Sequence, residues 1–281
     1  MMEIKYKGIS LPKAGNSKEE NEDSFSVPKT GMQRWMKTIR CSKPFKFAFK
    51  LVIIYIVEKP DKKSFANFAI SDGATESSFS KEWASLLVSE YNNKGKDSFE
   101  KKHLQEMLKR ISKKWHSKVY KGNLPWYAEE KLKEGAFATF LGLTVHKEKW
   151  KFDAVAIGDC ALFLVRKDEL IFSFPVKSYQ EFGNTPNLFA SNLDYQPDIE
   201  SSVSYTNHDL CPGDVLLLTT DALAAWFLKC KEAGGKPWHT LAKALEKENS
   251  EKAFSKWLER QRQAYEMKND DVTLIQIKIK E

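Results

Sequence analysis

The 281-residue chain has only four cysteines, Cys41, Cys160, Cys211 and Cys230, and they form neither a CxxC pair nor a metal-ligand spacing. A disulfide framework and a structural zinc site are therefore not expected, and a reducing cytosol fits best. The opening MMEIKYKGIS lacks the apolar core of a signal peptide, so secretion is not expected. Long hydrophobic runs are missing too. The most apolar stretch, FKFAFKLVIIYIV at residues 45–57, contains Lys46 and Lys50 and falls well short of the ~20 residues that span a bilayer. Its β-branched and aromatic content reads as a buried strand, and no membrane partner is expected. Internal repeats and low-complexity linkers are also absent, so residues 1–281 read as a single domain.

What the chain does have is positive charge. Lys+Arg 45 against Asp+Glu 38 leaves a net +7. Such an excess can draw nucleic acid, anionic lipid or acidic partners. Here the lysines are spread over the whole sequence, and no zinc finger, basic zipper or RNA-binding signature accompanies them. A solvated lysine-rich surface is the better reading, with no nucleic-acid partner.

Hydrophobic patterning places the elements. Strands are expected at Glu3–Ile9, at Ser24–Val27 and at Phe65–Ser71. Residues 29–64 read as a hairpin or insertion, with a turn at Lys59–Lys63. A helix starts at Ser80 and carries Trp83, Leu86, Leu87 and Tyr91. A second helix, capped by Asp97 or Ser98, places Leu104, Leu108, Ile111, Trp115 and Val119 in one stripe, with Lys101, Lys102, Lys109, Arg110, Lys113 and Lys114 opposite in solvent. Four short strands follow Gly135, with hairpin turns at His146–Lys149 and Lys167–Asp168. Residues 175–209 read as an irregular connection. A strand at Val215–Thr219, two or three helices within 222–267 and a last strand at Val272–Ile279 complete the chain.

The acidic residues are less ordinary. Glu22-Asp23 precedes SFSV, Asp72-Gly73 follows FANFAIS, Asp159 follows DAVAIG, Asp221 follows VLLLTT, and Asp270-Asp271 precedes VTLIQI. Asp and Gly at a strand end often do no more than make a turn. Carboxylates that converge from several strand ends instead need cations to offset their repulsion. Their hard oxygens suit Mg²⁺ or Mn²⁺ rather than zinc, and two such ions can activate a water for attack on a phosphoryl group.

Order and context decide between these readings. Gly15 to Phe25, with Lys18 and Asn21-Glu22-Asp23, resembles the opening motif of the metal-dependent protein phosphatases of type 2C. AISDGATES resembles that family's Asp-Gly motif, and GAFATFLGLTV with AVAIGDCALFLVR is similar to its paired strands. LCPGDVLLLTTDAL and NDDVTLIQI resemble its last two blocks, so the likeness runs from about residue 8 to residue 279, with bacterial-type members the nearest in pattern. The resemblance implies an α+β fold, a four-layer αββα sandwich of two antiparallel sheets flanked by helices. It also implies two Mn²⁺ or Mg²⁺ ions, with a third, weaker site at Asp159. Asp72 would bridge the two ions and the Gly73 carbonyl would help hold one. Asp221 and Asp270 would bind the other, Asp23 would act through metal-bound water, and Glu22 would support that shell. Lys18 would bind the substrate phosphate. A metal-bridged hydroxide would attack phosphoserine or phosphothreonine directly. The implied protein is a cytoplasmic monomer acting on a phosphoprotein, with a cognate Ser/Thr kinase as a further partner.

The departures from that pattern are specific. Lys18 stands where the family has arginine and loses the bidentate fork. AISDGATES has no histidine after Asp-Gly, and none of His103, His116, His146, His208 and His239 has a motif that nominates it as a substitute. Ala222, Asp271 and Cys160 replace a glycine, an asparagine and a serine. A Cys160 nucleophile is not expected, because GDCALFLVR forms no phosphate-cradling loop. Two rival readings stay open: a catalytically weak or silent module that binds a phosphoprotein or kinase, and a phosphatase of small phosphoesters.

Overall fold

The structure is a computed structural model that describes residues 2–28, 55–56, 64–120, 130, 132–183, 185–196, 198–246 and 250–281. Most of the 29–64 segment, including the Lys59–Lys63 turn, lies outside the described residues.

Two antiparallel sheets form the centre. The first has the order β3-β1-β13-β12-β8-β9, built from β1 (Glu3–Leu11), β3 (Tyr55–Ile56), β8 (Ala161–Arg166), β9 (Glu169–Phe174), β12 (Val215–Thr219) and β13 (Val272–Lys280). The second runs β11-β7-β6-β4-β2, from β2 (Ser24–Ser26), β4 (Phe65–Ser71), β6 (Phe140–His146), β7 (Lys151–Ile157) and β11 (Ser204–Asp209). A two-stranded pair joins β5 (Phe137–Ala138) to β10 (Phe189–Ala190). Helices α1 (Ser80–Lys94) and α2 (Lys101–Val119) cover the second sheet. Helices α3 (Asp221–Glu232), α4 (Pro237–Glu246) and α5 (Ser250–Gln263) cover the first. The expected αββα layering is the observed one.

Strand periodicity explains why both sheets are buried on both faces. In β13 the odd residues Ile275, Ile277 and Ile279 enter the core between the sheets, while Val272 and Leu274 enter the core under α3–α5. In β4 Phe68 and Ile70 face the other sheet and Ala69 faces α1. Runs such as VLLLT therefore read as continuous rather than alternating.

Three local expectations need correction. The second helix is not capped by Asp97 or Ser98. Those residues sit in a 3₁₀ turn, Gly95–Phe99, where Ser98 Oγ donates to the Gly95 carbonyl (3.2 Å), and α2 begins after Glu100. Arg110 is not simply solvated: its guanidinium grips Glu90 of α1 with two bonds of 2.9 and 2.5 Å. Within 175–209 the segment Ser204–Asp209 is an edge strand paired to β7, so the connection is less irregular than its composition suggests.

Candidate metal centre

Strand registers bring the acidic positions to one end of the sandwich. Ser24, next to Asp23, pairs with Ser71, next to Asp72. Thr219, two residues before Asp221, pairs with Leu274 on one side and Ala161 on the other. Ala161 starts the strand that follows Asp159, and Leu274 lies near the start of the strand preceded by Asp270.

Asp23 is buried. Its Oδ2 accepts hydrogen bonds from Thr220 Oγ1 (3.1 Å) and Thr273 Oγ1 (2.7 Å), and its own amide donates to Asn21 Oδ1 (2.9 Å). Its Oδ1 is buried with no hydrogen-bond partner among the described residues. Asp72 is held by its backbone: its carbonyl accepts from Thr139 N (2.9 Å) and its amide donates to Thr139 Oγ1 (3.2 Å). Gly73 bridges to Ala138, and a Cβ there would lie 2.8 Å from Ser80 Cβ, so only glycine lets the strand end approach α1 this closely. Glu22 accepts from Ser80 Oγ (3.0 Å) and Thr75 Oγ1 (2.6 Å), with Lys13 Nζ at 3.6 Å. Lys268 Nζ lies 2.6 Å from Asp270 and 3.5 Å from Asp221.

These carboxylates feel one another. Burial, then Asp23, Asp221, Asp270 and Asp159, push the Asp72 carboxyl far above the usual range. Burial and then Asp271 do the same to Asp23. Burial and Asp221 raise Asp159 to about 6. Asp221 is raised by burial, against the Lys268 ammonium, which lowers it. The group is short of positive charge at neutral pH.

A divalent cation fits this donor set. The oxygens are hard, the Asp23 Oδ1 is a buried acceptor without a donor among the described residues, and the repulsion is of the kind that a cation relieves. Among the described residues no three or more His, Cys, Asp or Glu side chains stand close enough together to hold a metal ion by themselves. An ion here would keep several waters, as Mg²⁺ ordinarily does.

The structure thus gathers Asp23, Asp72, Asp159, Asp221 and Asp270, with Glu22 beside them. Lys18 is half-buried, and its carbonyl accepts from Asn21 N and Lys81 Nζ. Lys13 and Lys268 are the cations that touch the acidic side chains, and sequence reasoning missed both. It also missed the role of Asp271, whose buried carboxylate accepts from the amides of Lys13 (2.7 Å) and Glu22 (2.7 Å) and so fixes the chain leading to Asp23. Its doubling with Asp270 was the available signal. Thr220 and Thr273, each beside an acidic motif, were another. Cys160 is fully buried, 3.0 Å from Thr139 Oγ1, and burial keeps its thiol protonated. Three histidines are engaged elsewhere: His146 pairs with Asp153 at 2.8 Å, His239 with Asp168 at 2.5 Å, and His208 stacks on Phe152, while His103 and His116 lie on α2.

Solved structures share the fold. The chain resembles the serine/threonine phosphatase PstP/Ppp of Mycobacterium tuberculosis (15% identity, 99% of this chain and 100% of that one, TM-score 0.56). It also resembles the catalytic domain of PstP in complex with two manganese ions (15% identity, 100% of both chains, TM-score 0.55). The photosystem II phosphatase PBCP superposes with a TM-score of 0.50 at 14% identity, covering 100% of this chain and 99% of that one. No curated protein shares significant sequence similarity with the chain. Residues 56–259 match the Protein phosphatase 2C family model, and by that match the chain belongs to the protein phosphatase 2C family of serine/threonine protein phosphatases.

Proposed function

We propose that the protein hydrolyses phosphoserine and phosphothreonine in proteins with two Mn²⁺ or Mg²⁺ ions held at the Asp72 end of the sandwich. The observation that carries this reading is the group of mutually repelling, partly buried aspartates around Asp72, with a buried Asp23 oxygen that has no hydrogen-bond partner among the described residues. Asp72, the Gly73 carbonyl, Asp221 and Asp270 would hold the ions, with Asp23, Glu22 and Asp159 supporting. The bound ions would supply Lewis acidity toward the phosphoryl group and a water made acidic enough to attack it. The structural relative solved with two manganese ions supports the choice of metal.

The chain's own residues do the rest. Thr220 and Thr273 fix the Asp23 carboxylate, Asp271 fixes the segment that carries Glu22, and Lys13 adds positive charge at the rim beside Glu22. Lys18 would provide a less directional phosphate contact than arginine. With Cys160 buried and protonated, no covalent phosphoenzyme is expected. We infer further a cytoplasmic monomer of one domain that opposes a Ser/Thr kinase. No described helix is long and apolar enough to cross a membrane.

One observation favours a silent binding module instead: the Lys268 ammonium already sits between Asp221 and Asp270. Phosphate release from a phosphothreonine peptide, with Mn²⁺, with Mg²⁺ and with excess chelator, decides between them. Chelator-sensitive release that Asp72→Asn abolishes supports the phosphatase. A folded, Mn²⁺-binding protein without release supports the module.

A further inference from the structure

Beside the carboxylate group lies a cleft of about 350 Å³, between the segment leading to β2 and the start of α1, with Glu22 in its wall. Glu22, which accepts from Ser80 Oγ, belongs to both the cleft and the site, so the cleft is a neighbouring surface on which residues flanking a bound phosphate can lie. Glu19, Glu20 and Glu82 line the cleft besides Glu22, against only Lys13 and Lys81. Both lysines are engaged. Lys81 Nζ donates to the carbonyls of Lys18 (3.1 Å) and Glu19 (2.9 Å), and Lys13 lies 3.6 Å from Glu22. The wall that faces a visiting chain is therefore acidic, although the protein as a whole carries net +7.

The cleft also presents an aromatic ring. Phe79 is 37% exposed, and it takes the left-handed backbone conformation (φ 59°) that a bulky residue rarely adopts. Its carbonyl is gripped by the Trp83 amide (3.2 Å) and by the Trp115 indole Nε1–H (3.2 Å). The ring is thereby held at the cleft by α1 and α2 together. A partly exposed aromatic ring in a cleft that glutamates also line is suited to receive a cation, through the ring quadrupole and through charge.

We infer that this cleft selects phosphoproteins with arginine or lysine next to the phosphorylated residue, with Phe79 as the stacking platform and Glu19, Glu20 and Glu82 as the charge-reading rim. The inference rests on the phosphatase reading and adds its substrate preference. The commitment to a basic polypeptide comes from charge complementarity. An acidic flanking sequence would meet uncompensated glutamates.

Two phosphothreonine peptides of equal length, one flanked by arginines and one by glutamates, test it in Mn²⁺. The basic peptide should have the higher kcat/KM, with the difference in KM, and the preference should shrink as salt rises. An exposed charge pair alters affinity by about twofold to fivefold, so Glu19→Lys with Glu82→Lys should cut the preference by about tenfold. Phe79→Ala should lower it and Phe79→Tyr restore it, with each variant's fold checked by its thermal transition. An equal kcat/KM for the two peptides in the wild type, or a preference unmoved by the double variant, overturns the inference and leaves the phosphatase reading standing. If the wild type hydrolyses neither peptide, that reading fails. Fluorescence anisotropy of the labelled peptides then decides: tighter binding of the basic one, lost in the double variant, sustains the cleft's selectivity, and equal binding overturns it.

Discussion

Burial and repulsion at the candidate metal centre have a measurable cost, and Asp159 shows it most directly. Burial and the charge of Asp221 hold its carboxyl at about 6, against an ordinary 3.8. An acid whose folded value is raised binds its proton more tightly in the folded state. The stability it contributes is fully present below its unfolded value and is lost as pH rises through about 6. At ~1.4 kcal/mol per pKa unit, ionising it at neutral pH costs roughly 3 kcal/mol, and solvent screening of this partly exposed group brings that to about 2. Asp159→Asn removes the charge. In chelator at pH 7.5 the variant should melt about 4–8 °C above wild type, using about 2–4 °C per kcal/mol for a domain of this size. At pH 5 the gap should narrow, because wild type is then largely protonated there. Thermal unfolding followed by intrinsic fluorescence reads both. An unchanged melting temperature at pH 7.5, or the same gap at both pH values, would refute the electrostatic coupling.

Three further outcomes follow from single contacts. Gly73→Ala places a Cβ 2.8 Å from Ser80 Cβ and 2.9 Å from the Ser80 carbonyl carbon, so it should cost about 1–3 kcal/mol in a denaturant titration and displace α1 from Glu22. Lys268→Met withdraws the ammonium that competes for Asp221 and Asp270, and should tighten Mn²⁺ binding a few-fold in calorimetry; weaker binding would make Lys268 a supporting group instead. Cys160→Ser keeps a hydrogen-bonding atom near Thr139 Oγ1 and should leave phosphate release close to wild type, whereas abolished release from a folded variant would reinstate the thiol.

The central strands were legible because they carry apolar residues on both faces, which gives short continuous runs such as ALFLV, and α2 because its stripe repeats at helical spacing; the αββα layering came from the family resemblance, not from the strand pattern. The edge strand Ser204–Asp209 was not, since SYTNHD is polar and only partly buried and shows no alternation. The acidic site residues stood out by their place at strand ends. Their supports did not. Asp271 reaches the amides of Lys13 and Glu22 more than two hundred residues away in sequence, and Lys268 meets Asp221 from the far end of the α3–α5 segment. Such contacts arise only when β1 and β13 pair along their whole length, from Glu3↔Lys280 to Leu11↔Val272. Phe79 was hidden for a different reason: a left-handed phenylalanine is set by the tertiary grip of Trp115, not by local propensity.

The central claim is that the aspartates around Asp72 are a metal centre. An equilibrium Mn²⁺ titration of wild type and Asp72→Asn, with both proteins shown to be folded, tests it most directly. The account predicts two ions bound by the wild type, with at least one lost or strongly weakened in the variant. Identical binding curves for the two proteins would contradict it.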